Sequence, residues 1–495
     1  MIDQTRFQIW LNEHQALCTQ YANNESYYEG SGQEARLTDR ARTFLESNGF
    51  VNFRVNVCCT VVDSMVGRLR VTNYAGVDDF DDWAWELWRL SGLATRQSSL
   101  YRDALVYGDA YLIGEWYTDP LRKVSYPRFR INDPRNCYMV YDENDIDKPI
   151  AFLKRWPLRP EVPGGPLRWR LNIYTEDLIT RYSGAYGEDV TTIVWKVIDS
   201  TKWDAGIIPA VHLVNRRSSS SHGSSELKNV IPIQDLLNKG FIDLSNILDQ
   251  QGWPQRYSTG GQPPDGGYTS AVGIVWNLPA ETGSFGQFAA ANPVGVLKAI
   301  EADYSAVSAV SRTPQHAFHT PGDRFPSGEA LKTAEVGLIE KCESFASDVG
   351  EQFERMMRIS AAMQKAYGEW PPKALEGVVE PTETKTYTFG ASSQLECQWR
   401  DFETRNELVA IQSVNLKGPN ISHTQRLREY GYSDPDIERI LDEIAKEVAI
   451  AQALQPEEPE TSTNLSTKAV VQPGLSSIKP KSIAEQDQPT TQRHD

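Results

Sequence analysis

SGEALKTAEVGLIEKCESFASDVGEQFERMMRISAAMQKAY, residues Ser327 to Tyr367, is the longest uninterrupted helical pattern in this chain. Its apolar residues recur at spacings of three and four: Leu331, Ala334, Leu338, Cys342, Phe345, Val349, Phe353, Met356, Ile359 and Met363. That is one stripe on a period of about 3.6, with Glu335, Glu340, Lys341, Glu351, Glu354 and Lys365 mostly on the other faces. Ser327 is placed to cap the N-terminus with Glu329 in the first turn, and Pro371-Pro372 stops the run. At about 1.5 Å per residue such a helix is ~60 Å long, two or three times an ordinary globular helix. A rod of that length either spans a large domain or lines a repeated assembly.

Working outward, the rod is preceded by Thr320-Pro321-Gly322-Asp323-Arg324-Phe325-Pro326, a polar loop rich in helix breakers. Before that loop, Tyr304 to Phe318 reads as a shorter helix, and Glu226 to Gln251 as a longer one ended by Trp253-Pro254. Residues 257 to 302 between them are rich in Gly, Pro, Ala and aromatics, with a strand-like Val272–Leu278. This stretch is too long and too apolar for a linker and reads as a small excursion domain.

Residues 1 to 75 read as helical. An amphipathic Phe7–Tyr21 is followed by a turn at Tyr27 to Gly32, then by a helical face over Val55–Val71. Asp78, Asp79, Asp81 and Asp82 open a helix carrying Trp83, Trp85 and Trp88, and acids in a first turn favour the helix dipole. Ser98 to Val106 is helical and ends at Gly108. From Ala110 to about Asn215 the period becomes two. Strands are expected at 110–116, Tyr126–Ile131, Cys137–Asp142, Ile150–Trp156, Leu167–Tyr174, Leu178–Tyr182 and Thr191–Ile198, forming a mainly antiparallel module. Beyond the rod, Thr384–Phe389 and Leu395–Trp399 alternate as strands, and Arg405–Ser413 and Ser422–Leu454 are helical. From Gln455 the composition turns to Pro, Glu, Ser, Thr and Gln, the signature of a disordered tail. The fold class is therefore α+β.

The chain has 495 residues, 40% of them hydrophobic, enough for two to four domains. No stretch approaches a membrane span, and Met1-Ile2-Asp3-Gln4 does not resemble an export signal, so a reduced cytosolic setting is expected. The six cysteines at 18, 58, 59, 137, 342 and 397 have no metal-type spacing and read as small buried hydrophobes. A net charge of −16 argues against a protein that grips nucleic acid by neutralising phosphates.

Catalytic chemistry finds no constellation here. There is no phosphate-cradling G-x-x-x-x-G-K-[ST], no H-E-x-x-H and no Cys/His cluster. Asp142 to Asp147 lacks the glycine and acid offsets of a calcium loop and reads as a turn. Ser220 and Ser221 lie too close in sequence to His222 to form a nucleophile pair. No enzymatic activity, cofactor or metal is expected.

Eight local strings, in order, carry a resemblance. They are Tyr27-Tyr28-Glu29-Gly30; Asn52-Phe53-Arg54 with Val62-Asp63 and Arg68-Leu69; Asp103 to Tyr111; Pro149-Ile150-Ala151-Phe152; Ile208-Pro209 with Asn215-Arg216; Ser225-Glu226-Leu227; Ser327 to Lys332; and Trp399-Arg400-Asp401. With the helix–loop–long-helix unit, the chain resembles the portal proteins of tailed double-stranded-DNA bacteriophages, of the siphophage type, over roughly residues 10 to 450.

The resemblance implies a homo-oligomeric ring of twelve subunits at one capsid vertex of the virion, assembled in the host cytoplasm. It implies a wing from 1–225 and 372–401, a stem from 226–256 and 303–319, and a clip from 257–302. The tunnel loop is then 320–326, the long tunnel-lining helix 327–371, the helical crown 402–454 and the tail 455–495. Implied partners are double-stranded DNA in transit during packaging and ejection, the terminase, the major capsid protein, the scaffolding protein and a head-completion adaptor, with no membrane. Physical reasoning agrees: a closed ring needs one heterologous interface repeated about an axis, and net acidity multiplied around it repels the duplex from the walls.

Arg324 is the first candidate for weak, salt-screened DNA contact at the constriction, unless it pairs with Asp323; Phe325, His316, His319 and Lys332 complete the channel set. In the excursion domain Trp276, Phe285 and Phe288 are candidates for the motor or adaptor interface, against simple core packing. Another connector or adaptor ring component is the alternative reading, and a metal-dependent nuclease using Asp78–Asp82 comes third.

Overall fold

In a computed structural model of the chain, the described residues are 4–31, 43, 55–76, 80–121, 123–159, 168–185, 193–217, 220–252, 256–259, 284–287, 292–318, 328–369 and 395–403, with 424, 426–427, 437 and 439–446 further on. They fall in two units, 1–404 and 405–495. The expected strands at Val272–Leu278 and Thr384–Phe389, the helix at Arg405–Ser413 and the tail from Gln455 lie outside the described residues.

The first unit opens with α1 (Gln4–Glu29), longer than the amphipathic pattern indicated. Tyr27 and Tyr28 continue the helix instead of turning, because their hydroxyls donate to Asp235 (2.8 Å) and Asp63 (2.9 Å) on other elements. The chain turns only at Gly30, at φ 69°. Next comes α2 (Val57–Val66), capped by the Asn56 side chain, which accepts from the Cys58 and Cys59 amides. Helical periodicity across 1–75 is overturned at β1 (Val71–Ala75), which pairs antiparallel with the distant β12 (Glu396–Trp399). A partner more than 300 residues away leaves no local trace in the sequence.

Two helices follow, α3 (Phe80–Leu90) and α4 (Leu93–Tyr107). Gly108 ends α4 at φ 95°. Seven strands and their turns build the β module: β2 (Asp109–Thr118), β3 (Ser125–Asn132), β4 (Cys137–Tyr141), β5 (Pro149–Leu158), β6 (Arg168–Tyr174), β7 (Leu178–Ala185) and β8 (Lys196–Lys202). An eighth, β9 (Ala210–Val214), is buried at every position, so it shows no alternation and escapes a period-two reading. The sheets are ordered β3-β2-β9 and β4-β5-β6-β7-β8, all neighbours antiparallel. The expected strand at Thr191–Ile198 moves to 196–202, because Ile193 and Trp195 are drawn into the core ahead of it. Asp142 to Lys148 is a pair of Asx turns, with the Asp142 and Asp145 carboxylates accepting from the amides of Asn144 and Asp147.

Then come α5 (Ile231–Gly252), the hairpin β10 (Arg256–Thr259) and β11 (Ser284–Gln287), α6 (Val294–Ser311), a 3-10 turn at Gln315–Ala317, and α7 (Gly328–Tyr367). The helix expected from Glu226 begins only at Ile231, after turns at 226–230, and the one expected at Tyr304–Phe318 starts ten residues earlier and stops at Ser311. Arg312 is left-handed at φ 54°, and Pro314 has no N–H to continue the ladder.

The main core surrounds the C-terminal three quarters of α7. Trp88 meets Phe353 edge-on at 4.8 Å, and Tyr101 lies 5.6 Å from Trp399, so α3, α4, α7 and β12 share one aromatic centre. Gln97 is buried there, and its carbonyl oxygen accepts from the Val71 amide (2.8 Å) and the Tyr101 hydroxyl (3.0 Å). A second core lies between α1 (Phe7, Trp10, Leu11) and the face of the five-stranded sheet. Cys58, Cys137, Cys342 and Cys397 are buried thiols, and Cys18 and Cys59 are half-buried. In the second unit, residues 439–446 are helical.

Asp109, fully buried at the start of β2, holds the loop after β9. It accepts from Tyr21 Oη (2.6 Å), His212 Nε2 (2.8 Å) and the Gly223 amide (2.8 Å). His212 passes the network on to the Tyr141 hydroxyl at 2.9 Å. At Gly223 the backbones close in so far that a Cβ would lie 2.1 Å from the Gly108 carbonyl oxygen. Gly223→Ala is expected to cost about 3 kcal/mol, measured as a fall in the denaturation midpoint.

Candidate functional site

Three helices carry the surface that matters. α5 and α6 pack side by side, with Phe241 and Tyr304 edge to face at 6.4 Å and Gly240 letting Ile300 approach. Their shared core is Leu237, Ile300 and Val307. Large apolar side chains nevertheless remain outside it. Leu236 and Leu248 on α5, and Val294, Leu297 and Val310 on α6, are each 43–54% exposed. α7 changes character along its length. From Leu338 onward it alternates buried and exposed positions, but residues 328–337 carry no buried side chain, and Val336 there is 49% exposed. The first turns of the long helix therefore leave the core, although their apolar spacing matches the rest of the stripe.

A buried charge cluster joins these helices to the loop after β9. Lys341 reads as a polar-face residue in the sequence, yet it lies under the surface. Its ammonium meets Glu226 Oε2 at 2.5 Å and donates to the Ser311 carbonyl at 3.0 Å. The Glu226 carboxylate also accepts two bonds from Arg216, at 2.7 and 2.8 Å, and one from Asn215 Nδ2 at 3.1 Å. Burial works against ionising Glu226, but Lys341 and Arg216 outweigh it and hold the carboxyl below its usual range. One carboxylate thus ties the turn before α5, the end of α6, the middle of α7 and the loop after β9. Arg216 and Arg312, two non-glycine residues at positive φ, flank this joint. The strings Asn215-Arg216 and Ser225-Glu226-Leu227 were the available signal; Lys341 offered none.

Of the expected channel residues, His316 lies in the 3-10 turn after α6. Its Nε2 is 3.9 Å from Glu335, which also binds Arg68 at 3.0 Å. His316 is therefore docked on the first turns of α7. Lys332 is exposed on those same turns. Arg324, Asp323, Phe325 and His319 lie outside the described residues. In the excursion domain, Phe285 is 38% exposed on β11; Trp276 and Phe288 lie outside the described residues. Among the described residues no three His, Cys, Asp or Glu side chains converge as metal ligands, and no helix is long and apolar enough to cross a membrane.

Comparisons with known proteins bear on this arrangement. A family model described as phage portal protein, SPP1 Gp6-like, matches residues 8–448. The portal protein of Mycobacterium phage D29 is 25% identical over 390 residues, covering 75% of this chain and 77% of its own. That of Mycobacterium phage L5 is 26% identical over 354 residues, covering 67% and 70%. Among solved structures, a chain from the virion of a native gene transfer agent particle aligns with 83% of this chain and 98% of its own, at 11% identity and a TM-score of 0.40. A chain from the neck of such a particle, computed with C12 symmetry, gives 80% and 94% at 11% identity and 0.40.

Proposed function

This chain belongs to the SPP1 Gp6-like family of phage portal proteins, and on that footing we propose that twelve copies close into a ring at one capsid vertex. Duplex DNA passes through the ring during packaging and ejection. The terminase docks on it while the capsid fills, and a head-completion adaptor replaces the motor afterwards. The capsid and scaffolding proteins contact its outside. The family is structural, a component of the phage virion.

One observation carries this reading: the apolar side chains of α5, α6 and the first turns of α7 that the subunit leaves exposed. Exposed leucines and valines on three neighbouring helices cost free energy in a monomer, at about 25 cal/mol per Å² of apolar surface left in water. Head-to-tail contact with further copies removes that cost, and a rotation that closes gives a ring. The chain's net charge of −16 adds a second support, because twelve acidic subunits repel a duplex from the walls of a channel. In this arrangement α5 and α6 form the stem, the hairpin region between them the clip, and residues 320–326 the tunnel loop.

Electron microscopy of the purified protein tests the class directly: rings with a central hole are expected, and a monodisperse monomer at micromolar concentration would refute the reading. Within it, Arg324→Glu is expected to leave ring assembly intact and to reduce packaged DNA severalfold. Normal packaging by that variant would remove Arg324 from the channel contacts.

A further inference from the structure

Among the described residues, two half-buried charges in the first unit form no hydrogen bond or ion pair of their own. Asp103, on α4, borders a cleft of about 330 Å³ lined by Glu25, Glu29, Asp133, Arg102 and Arg135 among others. Both guanidinium groups have an ion-pair partner, although Arg102 Nε makes no hydrogen bond among the described residues. Arg135 binds Glu25 and chelates Asp133, and Arg102 lies 3.8 Å from Asp63. Among the described residues Asp103 forms no hydrogen bond or ion pair, and burial, then the nearby Asp133, raises its carboxyl to about 7 against the opposing pull of Arg102 and Arg135. The cleft as a whole has four carboxylates against two guanidinium groups.

The second group is Arg355, on α7. It lies beside Tyr141, Arg217 and Arg358, and burial and the two like charges lower its pKa. Arg217 is committed to Asp147. Tyr141 and Glu351 favour the charged form of Arg355, but among the described residues Glu351 makes no ion pair with it and Arg358 Nε is buried with no hydrogen-bond partner. An unpaired, partly buried arginine next to two others is costly unless an anion arrives from outside.

Helix geometry sets these two sites back to back. Tyr101 of α4 faces Phe345 and Phe353 of α7 at 6.2 and 6.3 Å. At about 100° per residue, Asp103 lies ~200° round α4 from that contact, and Arg355 ~200° round α7 from Phe353. One subunit therefore presents an acidic cleft on one side of the helix pair and basic side chains on the other.

We infer that Arg355, supported by Arg358, inserts into the Asp103 cleft of the adjacent copy and pairs with Asp103 there. Such a contact is heterologous, since the donor and acceptor surfaces differ, so it propagates round a ring. Asp103 is then the acceptor that fixes register between neighbours, and the reach of an extended arginine matches an open cleft better than a flat contact. The inference rests on the ring reading and specifies one of its interfaces.

The test uses full-length chains. Arg355→Glu alone sets two acids against each other at every interface, and Asp103→Arg alone sets two bases. Each variant, expressed singly, is expected to lose at least tenfold in ring fraction by native mass spectrometry. Co-expressed, the two restore rings in which they alternate. The glutamate introduced by Arg355→Glu then meets the arginine introduced by Asp103→Arg in the next copy, and the remaining interfaces keep the original pair. Ring yield equal to wild type for either single variant, or no rescue on co-expression of folded variants, overturns the inference; the former is the outcome if these arginines serve a nucleic-acid phosphate instead. Should charge reversal prevent folding, Arg355→Gln and Asp103→Asn are read in its place, and ring loss is expected from both. A wild-type chain that forms no ring defeats the ring reading itself, which separates that failure from this one.

Discussion

Glu226→Ala is expected to destabilise the subunit by about 4 kcal/mol, because it leaves the Lys341 ammonium buried with one carbonyl for company. Removing the other partner is milder. In Lys341→Ala the carboxylate keeps Arg216 and Asn215, so a loss of ~2 kcal/mol is expected. Replacing both by apolar residues of similar volume, Glu226→Leu with Lys341→Met, recovers most of the loss, since no charge is then stranded and the half-exposed Arg216 turns to water. Urea unfolding of the three variants reads these differences as midpoint shifts at constant slope. A double-variant loss equal to the sum of the two single losses would mean that the cluster is not a coupled unit. Because the pair joins α7 to the ends of α5 and α6, the same variants report whether these helices and the β module unfold together.

Acid is expected to unfold the first unit well above the pH at which ordinary carboxylates titrate. His14 is almost fully buried; burial first, then Arg155, lowers it from 6.5 to about 3. His222, stacked on Tyr138 at 4.7 Å, is lowered to about 4, chiefly by burial. Both are therefore neutral when folded and take up protons when unfolded. The unfolded chain binds more protons below pH 6.5, so stability falls as pH falls. At ~1.4 kcal/mol per pH unit once the unfolded ring is charged, His14 alone costs about 2 kcal/mol between pH 6.5 and 4.5. Glu226, held low, adds to the loss only as pH drops through the carboxylate range. Asp103 has the opposite sign: raised to about 7, it favours the folded state as pH falls, but it is partly exposed and its contribution is correspondingly smaller. A melting temperature that drops steeply between pH 6.5 and 4.5, and less steeply in His14→Gln, is the expected result. A flat profile over that window would show that these histidines are not buried as neutral rings.

The rod, the helix from Ile231 onward and most of the β module were legible because each buries one face of one element, and a single face writes its period into the sequence; the helix before the rod was found only over its second half, Tyr304 to Ser311. Leu338 through Met363 follow that period as predicted. Where burial is on all sides the period vanishes, as in β9, and where the partner is remote it has no local signature, as in β1 paired with β12. Family membership rested on ordered strings rather than on chemistry, and several of those strings now have physical reasons. Tyr27 and Tyr28 tether α1, Gly108 and Asp109 set the backbone of the loop at Gly223, and Arg216 with Glu226 builds the joint under α7.

What the amino-acid order determined alone was the set of elements and their family, because helix and strand periodicity and backbone stops are local properties. What only the folded chain decided was which charges are buried and which are left over. Lys341 and Arg355 look alike in sequence as polar residues on one long helix. The packing of α5, α6 and the loop after β9 encloses the first against Glu226 and leaves the second half-buried beside Arg217 and Arg358, with no ion pair among the described residues, and electrostatic cost depends on that three-dimensional surrounding rather than on residue type.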